Sequence, residues 1–248
     1  MIRITKQHEH YKGENGWLTT YHHFSFAEYF DPNKVNFGPL RVFNDDIIQP
    51  ASGFDFHKHQ DMEIVTYVIE GELEHKDNLG NHGIIQPGEI QRMSAGTGVF
   101  HSEFNHSKER PLRLLQMWVF SDTKGLRPSW EQKRYSKDDR KNKLLPVIGP
   151  KGSNQKDRLV ISQDATFYIS SLEKDSDLSY KVGNGRLAYL FVIQGRISLN
   201  GKALNIRDTA QIENENMSIK AKDETEIILI DLPVTFKKNS ALEKVLQR

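Results

Sequence analysis

The 248-residue sequence contains no cysteine. This absence excludes disulfides, thiolate metal sites, iron–sulfur clusters and a cysteine nucleophile, so any metal must be bound through nitrogen and oxygen. The charges nearly balance, with 34 Lys and Arg against 33 Asp and Glu. Since no excess of positive charge would attract nucleic acid or an anionic membrane surface, we expect no partner of either kind.

Long apolar segments are also missing. The N-terminal stretch Met1–His8 has no apolar core of signal-peptide length, and no later run approaches the roughly 20 residues of a membrane span. We therefore expect a cytoplasmic protein. At roughly 100–200 residues per domain, the length favours two small domains or one large one.

The apolar residues that are present fall in short runs bounded by Gly, Pro, Asn or Asp. Runs this short and rich in Val, Ile, Tyr and Phe predict strands, namely Leu40–Phe43, Ile64–Ile69, Leu112–Phe120, Leu187–Ile193 and Glu226–Leu232. Helical patterns are weak. The best are Ser129–Lys133 and the tail Ser240–Gln247, which begins with a candidate capping box.

The two halves of the chain repeat one pattern. Tyr67–Glu74 resembles Phe191–Ser198, and each segment is an apolar strand that reaches a Gly and continues as a second strand. This repetition predicts an all-β fold with two β-barrels. Thr123–Lys156 is dense in charged residues, Pro and Gly and has the composition of a linker with a short helix. We predict domains over residues 1–135 and 136–248.

Histidine is distributed very unevenly, because all ten histidines precede residue 107. His57 and His59 are spaced i and i+2, which on a strand puts both imidazoles on one face about 6.6 Å apart. His101 and Glu103 repeat this spacing. Two such pairs on neighbouring strands would offer three nitrogens and one oxygen to a metal and leave positions open for a substrate. The alternative is that such pairs have no metal role and arise because polar residues alternate with apolar ones on a strand with one solvated face.

Other polar residues receive weaker assignments. Glu63 has the same parity as His57 and could orient a ligand imidazole, or could equally be a strand Glu paired at the barrel edge. His22 and His23 lie in an aromatic stretch and are predicted to pack in the core. Turn-like, polar contexts predict surface positions for His75, His82 and His106.

The motif segments resemble those of a known family. The order of Gly, His-x-His, Pro-Gly and a later His resembles the cupins, and Phe56–Val68 and Met93–Glu103 resemble the signature segments of the pirin family. Further segments resemble its bacterial branch described as pirin-like quercetin 2,3-dioxygenases: Gly16–Leu18, His23–Ala27, Leu40–Asp46 and Gln116–Trp118. Lys58 departs from the family, which commonly has Pro there, and we expect its side chain to point away from the barrel interior.

This resemblance implies two cupin barrels of the jelly-roll type in one chain. It implies one divalent metal, of Fe, Ni, Co, Cu, Mn or Zn, bound in the N-terminal barrel by His57, His59, His101 and Glu103, and a C-terminal barrel without ligands. Glu103 is predicted to be the proton acceptor as well. Because two fused barrels supply the interface that single-domain cupins often obtain by dimerising, we predict a monomer.

Three functions compete. The resemblance favours a metal-dependent dioxygenase that cleaves flavonol-like aromatic substrates with O2, with quercetin as the reference compound. The second is a metal-loaded regulatory module that contacts another protein without turnover, as the eukaryotic pirins are held to contact transcription factors. The third is a different cupin enzyme such as a sugar isomerase. It ranks last, because sugar phosphates call for several basic residues and the motif segments supply only Lys58 and Arg92.

Overall fold

The computed structural model describes residues 1–152 and 157–237, and within them nearly all regular structure is β-strand. The strands up to residue 134 are β1 (Ile2–Thr5), β2 (Tyr11–Asn15), β3 (Leu18–His22), β4 (Leu40–Ile48), β5 (Gly53–His59), β6 (Met62–Glu70), β7 (Leu73–Asp77), β8 (His82–Ile85), β9 (Glu89–Ser94), β10 (Val99–Asn105), β11 (Leu112–Phe120) and β12 (Ser129–Arg134). The described residues include no helix long and apolar enough to cross a membrane.

The later strands are β13 (Leu145–Pro150), β14 (Leu159–Ile161), β15 (Thr166–Leu172), β16 (Asp177–Tyr180), β17 (Arg186–Gln194), β18 (Ile197–Leu199), β19 (Lys202–Leu204), β20 (Thr209–Glu213), β21 (Met217–Ala221) and β22 (Thr225–Pro233). Two 3₁₀ turns, Gln7–Glu9 and Asp138–Arg140, complete the described elements. The predicted helical tail at Ser240–Gln247 lies outside the described residues.

The chain divides into two compact units. The N-terminal unit contains Tyr11–Arg134 together with Ile161–Gln163. The C-terminal unit contains Met1–His10, Tyr135–Val160 and Asp164–Phe236. The first ten residues therefore pack with the later part of the chain, because β1 pairs antiparallel with β20.

Each unit is built from a seven-stranded and a four-stranded sheet. In the N-terminal unit the orders are β12-β9-β6-β11-β4-β3-β2 and β5-β10-β7-β8. In the C-terminal unit they are β1-β20-β17-β22-β15-β13-β14 and β16-β21-β18-β19. The orders coincide when β4 to β11 are matched in sequence with β15 to β22. The repeat seen between Tyr67–Glu74 and Phe191–Ser198 is thus the match of β6 and β7 with β17 and β18, and the predicted all-β fold of two cupin barrels is confirmed.

The helix predicted at Ser129–Lys133 is wrong. These residues belong to β12, whose partners on β9 run from Ser129 opposite Ser94 to Arg134 opposite Glu89. A five-residue pattern is too short to form a stable helix alone, and the free edge of β9 offers backbone hydrogen bonds that an extended strand takes up. The region Thr123–Lys156 is therefore not simply a linker with a short helix, because β12 and β13 lie in it.

The interiors of the two units differ in chemistry. The C-terminal unit has a continuous apolar core that includes Leu190, Ala210, Met217, Ile219 and Leu229. In the N-terminal unit an apolar cluster of Ile48, Val68, Leu73, Ile85, Leu112 and Leu114 fills one region. The rest of that interior contains polar side chains, and these surround a cavity.

Candidate metal centre

Three histidines converge in the N-terminal barrel. His57 and His59 on β5 and His101 on β10 each offer a ring nitrogen, and these nitrogens lie within 4.8 Å of one another. β5 and β10 are neighbours with His101 opposite His57. The i and i+2 spacing on β5 therefore produces the shared face that the sequence predicts, and the convergence of these three residues is present in the structure.

A backbone irregularity shapes the site. Between His101 and Glu103 the pairing of β10 with β5 shifts, so that Glu103 lies opposite Phe54 and the extra residue is on β5. Such a bulge redirects side chains next to it. Gly53 is required here because a Cβ at this position would lie 2.3 Å from the carbonyl oxygen of Glu103. Beyond this bulge the pairing is regular and puts His57 opposite His101 and His59 opposite Val99.

Glu103 is buried in the same cavity but is held by a different set of partners. Its Oε1 accepts a hydrogen bond from Gln91 Nε2 at 2.5 Å, and its Oε2 accepts one from Gln116 Nε2 at 2.8 Å. Its carboxylate groups most closely with His101 and His75, within 4.8 Å, rather than with His57 and His59. The tight group is thus three imidazoles, with the Glu103 carboxylate adjacent to it.

The protonation states suit a metal. Burial, followed by repulsion from neighbouring imidazoles, lowers the pKa of His59 and of His101 to about 3. Both rings are therefore neutral near pH 7 and carry a free lone pair. His57 Nδ1 lies 2.8 Å from the carbonyl oxygen of Asp55, which can only accept, so Nδ1 donates there and Nε2 is the nitrogen available to a metal.

One buried atom tests directly whether the site fits a cation. His101 Nε2 is buried and has no hydrogen-bond partner among the described residues. An unpaired buried polar atom costs about 1–3 kcal/mol unless something binds it. A divalent metal at the His57, His59 and His101 nitrogens would satisfy this atom, and nitrogen with carboxylate oxygen is a donor set that such metals accept.

The prediction that His75 lies at the surface is wrong. Its exposed fraction is 0%, and its ring stacks on Trp130 at a centroid separation of 5.1 Å. His75 Nδ1 lies 3.4 Å from His101 Nδ1, so His75 directly contacts a candidate ligand. The strand parity of β7 gives the signal: Leu73, His75 and Asp77 alternate with outward-facing residues and are all buried.

The remaining histidines and Glu63 are placed as follows. His82 and His106 are exposed, as predicted. His23 is buried and stacks on Phe43, which confirms packing, whereas His22 is buried but lines the cavity. Glu63 is completely buried and accepts hydrogen bonds from Ser94 Oγ and from the backbone N and Oγ of Ser162, so it orients no ligand imidazole.

The cavity has a volume of about 220 Å³. Apolar and aromatic side chains form much of its lining, including Phe26, Phe54, Ile64 and Trp118. None of the described residues that line it is Lys or Arg. Lys58 is exposed, and Arg92 is paired with Glu131 across β9 and β12. A cavity with aromatic and aliphatic walls, clustered polar groups and no basic side chain among its described lining residues suits a small aromatic molecule better than a sugar phosphate.

The fold and this histidine cluster define a protein with two cupin barrels and a candidate metal centre in the first. The sequence matches the family model described as Pirin over residues 3–119 and the model described as Quercetinase C-terminal cupin domain over residues 147–232. The chain belongs to the pirin family.

Several relatives are similar over most of their length. The chain is 40% identical to Quercetin 2,3-dioxygenase of Escherichia coli O157:H7, over 94% of this chain and 99% of that protein. It is 42% identical to Pirin-like protein of Caulobacter vibrioides, over 88% and 94% respectively. The solved structure of bacterial pirin YhhW from Escherichia coli in complex with nickel(II) superimposes with a TM-score of 0.89 at 38% identity, covering 95% of this chain and 100% of that one.

Proposed function

We propose that this protein is a metal-dependent dioxygenase that cleaves flavonol-like aromatic substrates with O2. The observation that carries the proposal is the group of three convergent imidazoles that opens onto a cavity with aromatic and aliphatic walls. The names of relatives about 40% identical over most of the chain support it, as does the nickel(II) complex of the solved relative.

The proposed ligands are His57, His59, His101 and Glu103, with one divalent metal per chain. When bound, this ion supplies positive charge that favours the deprotonated form of a phenolic oxygen. Nitrogen and oxygen ligands suit Fe, Ni, Co, Cu, Mn and Zn alike. Nickel(II) is the ion bound in the solved complex of the relative, so it is the first ion to test.

The chain's own residues would prepare the substrate. Glu103, held in place by two glutamine amides, is the proposed acceptor of the phenolic proton. The apolar lining would bury the aromatic rings and exclude water around the reacting oxygen. Trp118 Nε1 is buried without a partner among the described residues, so a substrate oxygen would satisfy a donor that the protein leaves unpaired.

The second candidate is a metal-loaded module that binds a protein partner without turnover. The cavity beside the three histidines favours the enzyme over the binding module, because a purely structural metal site needs no open space beside the ion. Both candidates predict metal binding, so they differ only in whether a small molecule is converted.

The experiment is oxygen consumption by the protein reconstituted separately with iron, nickel, cobalt, copper and manganese, with quercetin as substrate. We expect consumption with at least one metal, together with loss of the quercetin absorbance band. The metal-free protein and each free metal at the same concentration are the controls. No consumption above these controls with any of the five ions would refute the enzyme and leave the binding module.

A further inference from the structure

A second polar wall lines the same cavity, on strands that carry none of the candidate metal ligands. Thr20 and His22 on β3 are paired in register with Asp46 and Asn44 on β4. All four side chains are buried, with exposed fractions of 5%, 7%, 4% and 3% respectively, and all four line the cavity. We call these four residues the polar wall.

The polar wall is preorganised by its own hydrogen bonds. Thr20 Oγ1 donates to Asp46 Oδ1, which fixes the carboxyl group. His22 Nδ1 lies 2.9 Å from Asn44 Oδ1, which fixes the imidazole with Nδ1 as the donor. The His22 ring is also stacked on Tyr11 and packed edge-on against Phe26. These side chains therefore lose little conformational entropy when a ligand binds to them.

Each of three side chains keeps one polar atom that has no hydrogen-bond partner among the described residues. These atoms are Asp46 Oδ2, His22 Nε2 and Asn44 Nδ2. Burial lowers the pKa of His22, so its Nε2 is an acceptor near pH 7. The remaining Oδ2 of Asp46 is a carboxyl oxygen and can accept a hydrogen bond, whereas Asn44 Nδ2 can donate one. A hydroxyl group, which both donates and accepts, matches this set.

The second barrel shows that the fold does not require polar residues inside. The repeated segment aligns β6 with β17, and the strand registers then align the other strands of the two barrels. In this alignment, polar interior residues of the N-terminal barrel correspond to apolar core residues of the C-terminal barrel: Thr66 to Leu190, Gln91 to Ala210, Gln116 to Leu229, His101 to Met217 and Glu103 to Ile219. The same registers match Asp46 with Ser170 and Asn44 with Tyr168. The second barrel therefore forms without an acid or an amide at these two positions.

We propose that the polar wall is a second recognition site, at which Asp46, His22 and Asn44 bind a hydroxyl group of the substrate other than the one taken by the metal centre. The site selects polyhydroxylated aromatic compounds over aromatic compounds with a single hydroxyl group. This inference rests on the proposed function, because it assumes that an aromatic substrate occupies the cavity.

The test compares two ligands that share the reacting hydroxyl: quercetin, and the parent flavonol that lacks quercetin's other hydroxyl groups. Anaerobic binding to the nickel-loaded protein is followed through quenching of tryptophan fluorescence, since Trp118 lines the cavity. Asp46→Ser introduces the side chain that the second barrel has at the matched position, and Asp46→Asn keeps the size and an oxygen. We expect Asp46→Ser to weaken quercetin binding by about 10- to 100-fold and Asp46→Asn to weaken it less. Neither variant should change binding of the parent flavonol.

The control is Asp45→Asn, the same chemical change one residue earlier. Asp45 is paired with Arg113 at 2.9 Å and does not line the cavity, so its variant should keep the wild-type ratio of the two affinities. If Asp46→Ser does not fold, the same comparison of the two ligands with Asn44→Leu tests the polar wall instead.

The outcomes separate this inference from the proposed function. If wild-type protein converts quercetin but the variants keep the wild-type affinity ratio, the recognition site is refuted and the enzyme stands. If wild-type protein binds neither flavonol, both are refuted.

Discussion

Replacing Glu103 with Gln is expected to lower quercetin turnover by about 10²- to 10⁴-fold while much of the bound metal is retained. The substitution keeps the size of the side chain and one oxygen donor but removes the negative charge and the basicity that a proton acceptor needs, and a positioned base contributes a factor of this size. Of the two glutamine amides that donate to the Glu103 carboxylate, from Gln91 and Gln116, one can still donate to the remaining oxygen of the new side chain, and the other loses its acceptor. Steady-state oxygen consumption and elemental analysis of the same preparation measure both quantities.

Two further variants serve as comparisons for Glu103→Gln. His101→Ala removes one of the three convergent nitrogens, so metal content and turnover should fall together. Glu109→Gln makes the same chemical change as Glu103→Gln at an exposed position and should alter neither. Full turnover in Glu103→Gln would show that Glu103 is not the proton acceptor, even if it binds the metal.

The second large effect is expected in the stability of the metal-free protein. His59 and His101 have pKa values of about 3 in the folded state, compared with about 6.5 when unfolded. Below pH 6.5 the unfolded chain takes up protons that the folded chain does not, so the free energy of unfolding should fall as the pH decreases from 6.5 toward 3. At about 1.4 kcal/mol for each unit of pKa shift, the two residues together amount to several kcal/mol.

Asp46 acts in the opposite direction. Its pKa of about 7 is above the unfolded value of 3.8, so its contribution to stability is full below pH 3.8 and is lost as the pH rises through 7. Urea unfolding at several pH values should therefore show a steeper acid loss of stability in Asp46→Asn than in wild type. His101→Asn should show a shallower loss, and His82→Ala, at an exposed histidine, should match wild type. A wild-type stability that does not fall between pH 6.5 and 4 would contradict the assignment of neutral buried imidazoles.

Strand periodicity explains why part of the site could be predicted from the sequence. A period of two residues puts His57 and His59 on one face whatever the surroundings, and the repeat at Tyr67–Glu74 and Phe191–Ser198 predicts the second barrel. The same periodicity puts His75 on one face with Leu73, but Asp77, the next residue on that face, is polar and begins a turn-like segment, so the signal is weaker than that of His57 and His59.

The polar wall could not be predicted from the sequence for a related reason. Only the register of β3 with β4 brings together Thr20, His22, Asn44 and Asp46. In a sequence, a polar strand residue that faces a cavity cannot be distinguished from one that faces solvent. The helix predicted at Ser129–Lys133 failed because the pairing of β12 with β9 decides the conformation of that segment, and sequence periodicity over five residues cannot reveal a distant partner.

The most direct test of the metal centre is native mass spectrometry of the wild-type chain after reconstitution with nickel and removal of unbound metal. One ion per chain is the predicted result, since the three convergent imidazoles lie in the N-terminal barrel and all ten histidines precede residue 107. That ion should be absent from His101→Ala and present in His82→Ala. A wild-type chain with no bound nickel, or with two ions that persist in His101→Ala, would contradict the account.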